Sequence, residues 1–328
     1  MSSTPTVQPA PHHPYRGYFY IAMSAVFWGI SATLGRAAFT GRLLPGSDIR
    51  NVNPLILSQA RTTFSFLAVF LFLLPARGWN RLRVPLADLG RLLFLGLAGV
   101  AASNYFYYVA IQRTNVATAI IVQYTAPVWV LVYMAARGLE KTTVSKIIAV
   151  ALAITGIALV IGLFGGLSGN VRQHLDALGV TAALIAAFSF AYYNIAGHSV
   201  LARYDPWIVL LYVTLSASAF WMVINPPNKI AAAHYSATTW MFLIVFSMVS
   251  VLIPFSFYFA GLQHLEPTKA IVASCLEPVF SILIAAVTLH EVVRPLQAVG
   301  VGMVLGAILV VQRPARGQPA PPAAGPVD

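Results

Sequence analysis

Three side chains of this sequence carry charge where charge is expensive. Arg61, Lys269 and Glu277 lie inside long apolar runs, and an ionisable group there must face water, a ligand or a partner. Glu277 directly precedes Pro278. Proline removes a backbone donor and loosens the preceding turn, so this carboxylate stands where a helix can open. It could meet a cation, accept a proton, or bond to Arg61 or a tyrosine hydroxyl as a structural group. A second proline, Pro127, closes the run Gln123-Tyr124-Thr125-Ala126-Pro127 in an equivalent setting, with Ala126 where the other run has Glu277. If the two prolines kink facing helices, freed carbonyls and the side chains of Gln123, Tyr124, Ser274 and Glu277 converge on one depth, with Pro127 and Pro278 as hinges. The bland alternative is a pair of packing bends.

Aromatic residues make a second group. Tyr and Trp favour the two faces of a bilayer, and Trp79, Trp207, Trp240, Tyr15 and Tyr18 fit that rule. Trp28, Tyr124, Tyr192 and Tyr193 fall deeper, and Tyr105–Tyr108 and Phe255–Phe259 occupy matching places in two similar stretches. A wall built from Trp28, Tyr108, Tyr124, Tyr192 and Phe255 would favour a flat or aromatic solute through stacking. Asn194 and Tyr258 complete the candidate binding set. Core packing is the simpler account of any single ring, so the inference concerns the set.

Enzymatic signatures are absent. The sequence has no H-E-x-x-H site and no phosphate loop, and Gly166-Leu167-Ser168-Gly169-Asn170 fails as a nucleophile elbow at its last position. Cys275 is the sole cysteine and lies in an apolar run, which excludes an intramolecular disulfide and gives a thiolate little support. No catalytic residue, cofactor or metal is expected.

The elements that must position these groups are membrane helices. Of 328 residues only 9% are charged, against about 25% in soluble domains; 59% are hydrophobic and mean hydropathy is +0.78. That excludes a nucleic-acid-binding module. The net charge of +11 then marks topology and lipid headgroup contacts. Cuts at proline, glycine and charge clusters give ten candidate spans: 17–39, 54–74, 88–111, 115–136, 144–164, 176–198, 207–225, 238–261, 267–289 and 292–311. The first is too long for the apolar part of a cleaved signal peptide. Eleven basic residues fall on the side of the termini and seven on the other, so both termini are expected in the cytoplasm.

Sliding the chain against itself by 151 residues pairs Phe106-Tyr107 with Phe257-Tyr258, Gln112 with Gln263, Pro127-Val128 with Pro278-Val279, and Glu140 with Glu291, without a gap. A weaker match at 162 pairs Gly35 with Gly197 and Trp28-Gly29 with Phe190-Ala191. The fold class expected is therefore an all-α integral membrane protein of ten transmembrane helices in two inverted five-helix repeats, since five is odd. The expected organisation is a tail over 1–16, repeats over 17–164 and 176–311, a linker over 165–175 and a Pro/Ala-rich tail over 312–328. Gly302-x-x-x-Gly306 and Gly156…Gly162 suggest close helix approach in spans 10 and 5, as braces or as a dimer surface. Glu140 and Glu291 read as interfacial anchors or ion-pair partners.

These features together resemble the drug/metabolite transporter superfamily, in its form with two EamA-type repeats. The resemblance rests on Phe27-Trp28-Gly29, Arg61, Ala126-Pro127-Val128, Glu277-Pro278-Val279, Glu140 and Glu291; Leu34-Gly35-Arg36 and Gln123-Tyr124-x-x-Pro127 look like its aromatic amino acid exporter branch. Tyr192-Tyr193-Asn194 departs from the Trp-Ala entry expected in span 6. The resemblance implies a ten-helix carrier with a central cavity built chiefly from spans 1, 3, 4, 6, 8 and 9, exporting small metabolites across a bacterial inner membrane; with the midplane Tyr and Trp residues, the expected cargo is amino acids or related metabolites, aromatic ones favoured. Its partners would be a small-molecule substrate, membrane lipids and a possible coupling proton, with no nucleic acid, as monomer or homodimer. A carrier of phosphorylated or nucleotide-linked sugars and a membrane-embedded lipid-handling enzyme are the alternatives.

Overall fold

The computed structural model describes residues 14–39, 43, 49, 52–114, 116–162, 176–290 and 292–312. The expected linker, nearly all of both tails, and Glu291 lie outside the described residues. Ten long helices account for most of what remains: α1 (Pro14–Phe39), α2 (Pro54–Arg77), α3 (Leu86–Arg113), α4 (Thr118–Ala136), α5 (Val144–Val160), α6 (Ala177–Leu201), α7 (Pro206–Ile224), α8 (Ala237–Leu262), α9 (Pro267–Leu289) and α10 (Pro295–Val311). Eight are long and apolar enough to cross a bilayer, and α5 and α10, at 17 residues each, reach the lower limit of about 17. The chain is a ten-helix, all-α, multi-pass membrane protein.

Local sequence explains where the helices start. Proline opens α2, α7, α9 and α10, where its missing N–H costs nothing. The side chains of Asn53, Thr143, Asp176, Asp205 and Ser236 accept hydrogen bonds from the first turn of α2, α5, α6, α7 and α8.

Four helices are interrupted, in two matching pairs. α3 passes through a π-helical stretch at Leu95–Ala101 and α8 through one at Met248–Leu252. α4 breaks at Tyr124 and Thr125, and α9 at Cys275, each just before its proline. Shifting by 151 residues superposes both pairs, so the internal repeat is one of helix defects as well as of sequence.

Packing repeats in the same way. α1 packs on α8 and α9 while α6 packs on α3 and α4; α2 meets α7, and α5 meets α10. Gly17 at the start of α1 lies against Leu265, just past the end of α8, and Gly197 near the end of α6 lies against Leu262, the last residue of α8. α1 and α6 therefore run in opposite directions. The end of the bundle where α1 begins is called the near end below.

Some of the close helix approaches need glycine. A side chain at Gly29 would meet the backbone of Ser281 at 2.8 Å, which lets α1 seat directly on α9, and Gly156 and Gly300 press α5 and α10 together, each blocked by the other's carbonyl. Gly302 and Gly306, read from sequence as the packing pair of span 10, meet nothing within 4 Å. They lie on the opposite face of α10, and Gly300 takes the role of a brace within the chain.

The symmetry of packing is incomplete, and one departure opens the bundle. α6 contacts α8 and α9 at the near end, but its counterpart α1 makes no comparable contact with α3 or α4. The bundle is drawn together at the near end and parted in the half beyond it.

Candidate functional site

A cavity of about 280 Å³ fills that parting. Every helix except α5 and α10 contributes to its lining, so α2 and α7 belong to the wall alongside the six spans that sequence suggested. α1 supplies Trp28 and Ala32, α2 supplies Ser58 and Arg61, and α9 supplies Glu277 and Pro278.

Glu277 owes its position to the broken turn before Pro278. The helix resumes at Leu276, which turns the carboxylate toward α4. There the Tyr124 hydroxyl, itself in the other break, donates to Glu277 Oε2 at 2.9 Å. The structural reading of a Glu bonded to a tyrosine hydroxyl is thus present, but the carboxylate also faces the cavity and its Oε1 has no hydrogen-bond partner.

Arg61 is held by the opposite kind of group. Its Nε–H donates to Ser250 Oγ at 2.8 Å, its Nη2 to the Ser250 carbonyl at 3.2 Å, and its guanidinium lies 5.8 Å from the Phe246 ring centre. Ser250 sits in the π-helical stretch of α8, where widened turns present backbone groups that a regular α-helix would engage. The matching stretch in α3 offers the Val100 carbonyl to Asn104 at 2.8 Å, and Asn104 also lines the cavity. No ion pair joins Arg61 to Glu277; both charges face the same space without touching.

The sequence candidates divide. Trp28, Tyr108, Gln123, Tyr124, Phe255 and Glu277 line the cavity, as do Arg61 and Pro278. Tyr192, Asn194, Tyr258, Ser274 and Pro127 do not. Tyr192 points outward to an edge-on contact with Phe94, and its neighbour Tyr193 takes the cavity position. Asn194 and Tyr258 are wholly buried and bonded to each other, clamping α6 to α8 beneath the cavity floor. Trp28 rests on this clamp, 5.3 Å from the Tyr258 ring and 5.5 Å from Phe255. Ser274 bonds back to Ile271 in its own helix. Lys269 lies at the first turns of α9, 3.4 Å from Glu266, and belongs to the near-end surface because its three-residue spacing from Glu266 puts both on one helix face.

Sequence reasoning missed Ser58, Ser103, Tyr107 and Trp221 in the lining. Tyr107 had a signal, its place in the repeated Phe-Tyr pair. Ser58 had one too, a single turn from Arg61.

The near end is closed by rings and then by charge. Tyr193 stacks on Tyr258 at 5.5 Å and meets Phe259 at 5.6 Å. Beyond them Lys146 of α5, almost fully buried, bonds Glu140 at 2.6 Å and Glu266 at 2.8 Å, while Glu140 accepts the Thr268 N–H at 3.2 Å. Glu140 is therefore a buried ion-pair partner that ties the end of α4 to the start of α9.

The EamA-like transporter family matches residues 15–162 and 177–313, five helices in each stretch. This chain belongs to that family. Among its relatives are a transporter of Archaeoglobus fulgidus, 24% identical over 272 residues covering 81% of this chain and 90% of the relative, and the inner membrane transporter YicL of Salmonella typhimurium, 21% identical over 92% of this chain and 96% of the relative. The threonine/homoserine exporter RhtA of Salmonella typhimurium is 24% identical over 290 residues, covering 88% of this chain and 87% of the relative. A crystal structure aligns with a TM-score of 0.72 at 18% identity, covering 92% of this chain and 97% of that one. That likeness concerns the fold alone.

Proposed function

We propose that this EamA-family protein is a secondary carrier that exports amino acids, aromatic ones favoured, by alternating access of its two inverted halves. The observation that carries the reading is the broken packing symmetry: α6 closes on α8 and α9, whereas α1 stays apart from α3 and α4 and leaves the cavity between. Exchanging those two arrangements would close the far end and open the near one, with the breaks before Pro127 and Pro278 as hinges. The RhtA relatives export threonine and homoserine by name, which supports small amino acids as the class. The lining of Trp28, Tyr107, Tyr108, Phe190, Tyr193 and Phe255 supports a preference for aromatic members.

The basic residues at the near end, among them Arg77, Arg81, Arg83, Arg91, Arg137 and Arg203, support cytoplasmic termini in a bacterial inner membrane. The cavity then faces outward in this state. A phosphorylated sugar would need several cations, and the lining offers Arg61 beside the repelling Glu277. The family and the relatives' names, all of transporters, support a carrier over an enzyme.

The test is flux of labelled Phe, Tyr, Trp, Thr and Met into proteoliposomes, with and without a pH gradient. Flux of at least one, led by the aromatic members, is expected. No flux for any would sink the amino acid reading.

A further inference from the structure

The cavity wall is chemically divided. On the α2/α7 side stand polar groups that can donate, and no carboxylate. Ser58 lies one turn before Arg61 on the same face of α2, and Trp221 projects from α7, which packs against α2. The Ser58 hydroxyl and the Trp221 indole N–H are each more than nine-tenths buried and have no hydrogen-bond partner. Arg61 spends Nε and Nη2 on Ser250 and keeps Nη1 free. No carboxylate is in ion-pair contact with it. Buried donors without acceptors cost stability, and two of them lining the same cavity as the free Nη1 of a half-buried guanidinium describe a place prepared for an anion with two oxygens. On the α4/α9 side the chemistry is reversed. Glu277 offers Oε1 as an unpaired acceptor, with Oε2 held in place by Tyr124, and no cationic side chain pairs with it.

We propose that the cavity is a two-pole site for the head of a free α-amino acid. The carboxylate binds Arg61, Ser58 and Trp221, and the α-ammonium binds Glu277. The assignment rests on the carrier reading above and sharpens it: the site selects molecules that carry both charges on one small unit, leaving the aromatic wall for the side chain. A simple anion meets the Glu277 carboxylate and a simple amine meets Arg61, so each gains one pole and is repelled by the other.

The test is binding to the purified full-length protein in nanodiscs, using phenylalanine, phenylalanine amide and N-acetyl-phenylalanine as probes. The wild type is expected to prefer the free amino acid over each blocked form by about tenfold or more. Arg61→Gln should weaken phenylalanine and erase the preference over the amide while keeping the preference over the N-acetyl form. Glu277→Gln should do the converse, and Arg61→Lys should restore part of the amide discrimination. Because each readout is a ratio on one preparation, a loss of folded protein lowers all three probes together and leaves the ratios intact. Equal binding of free and blocked forms by the wild type, or ratios unchanged in both variants, overturns the two-pole assignment while leaving amino acid transport standing. Failure of phenylalanine and of Tyr, Trp, Thr and Met, added as further probes, to bind overturns the amino acid reading with it.

Discussion

Tyr124 donates a hydrogen bond of 2.9 Å to Glu277, and this bond joins the broken helix of one half to the broken helix of the other. Tyr124 belongs to α4 and Glu277 to α9, and the residue matching Glu277 in the first half is Ala126, fully buried. The halves thus share a backbone device and differ in its chemistry: one brings a hydroxyl, the other a carboxylate.

Removing the hydroxyl should disturb the site while sparing the fold. Tyr124→Phe retains the ring and frees Oε2 of Glu277, so amino acid flux is expected to fall by about tenfold with thermal stability changed by about 1 kcal/mol. Measurement of flux and melting temperature on the same preparation checks this. If Glu277 also carries a coupling proton, Glu277→Gln should abolish accumulation driven by a pH gradient and leave exchange between equal pools running. Gradient-driven flux untouched by that substitution removes the coupling role.

The charged strap at the near end predicts an unequal pair of stability effects. Lys146→Ala strands Glu140, whose side chain is only 4% exposed, and should cost about 3 kcal/mol, the scale for breaking a buried pair. Lys269→Ala removes a partly exposed charge from Glu266 and should cost less than about 1 kcal/mol. Thermal unfolding in detergent distinguishes the two.

The same strap should respond to acid with a defined sign. Burial pushes the Glu266 carboxyl up, but the hydrogen bond from Lys146 and the charge of Lys269 outweigh it and hold Glu266 below the ordinary glutamate value. A depressed folded value adds stability that is present above the unfolded value and is lost as pH falls through the folded one. Melting temperature should therefore be insensitive to this group near neutrality and should drop on acidification below the ordinary glutamate range. In Glu266→Gln that part of the acid limb should disappear.

Helix packing gives a contrast within one helix. Gly300→Leu would drive a side chain into the backbone of α5 at Gly156 and should cost about 3 kcal/mol or more, whereas Gly302→Leu points into open space and should be near neutral. Expression and melting temperature of the two variants decide it.

Much of this architecture is legible in the sequence. The span limits follow from apolar runs and proline, and the inverted repeat from a register in which Gln, Pro and Glu recur together. Arg61 and Glu277 could be singled out because intramembrane charge is rare. What sequence could not show is which face of α6 meets the cavity. Tyr192 and Tyr193 are adjacent and alike, and only the packing of α6 on α8 turns Tyr193 inward and Tyr192 toward Phe94. The π-helical stretches were also hidden, since they leave no residue signature, yet one of them supplies the carbonyl that anchors Arg61. Gly302 and Gly306 do not brace a helix of this chain, because spacing reports that two glycines share a face and says nothing of what that face meets.

The central claim is that the two halves exchange a closed near end for a closed far end around this cavity. On α1, Ala32, Trp28 and Ser24 follow one another by single turns on one face. Ala32 is exposed in the open half, Trp28 lines the cavity, and Ser24 is wholly buried, without a hydrogen-bond partner, on the closed side. The direct measurement is labelling of Ala32→Cys and Ser24→Cys by a membrane-impermeant thiol reagent applied from either face, in a Cys275→Ser background, with and without phenylalanine. The account predicts that phenylalanine lowers labelling at position 32 from the far side and raises labelling at position 24 from the near side. Position 24 remaining inaccessible from the near side while the same preparation transports phenylalanine would contradict it.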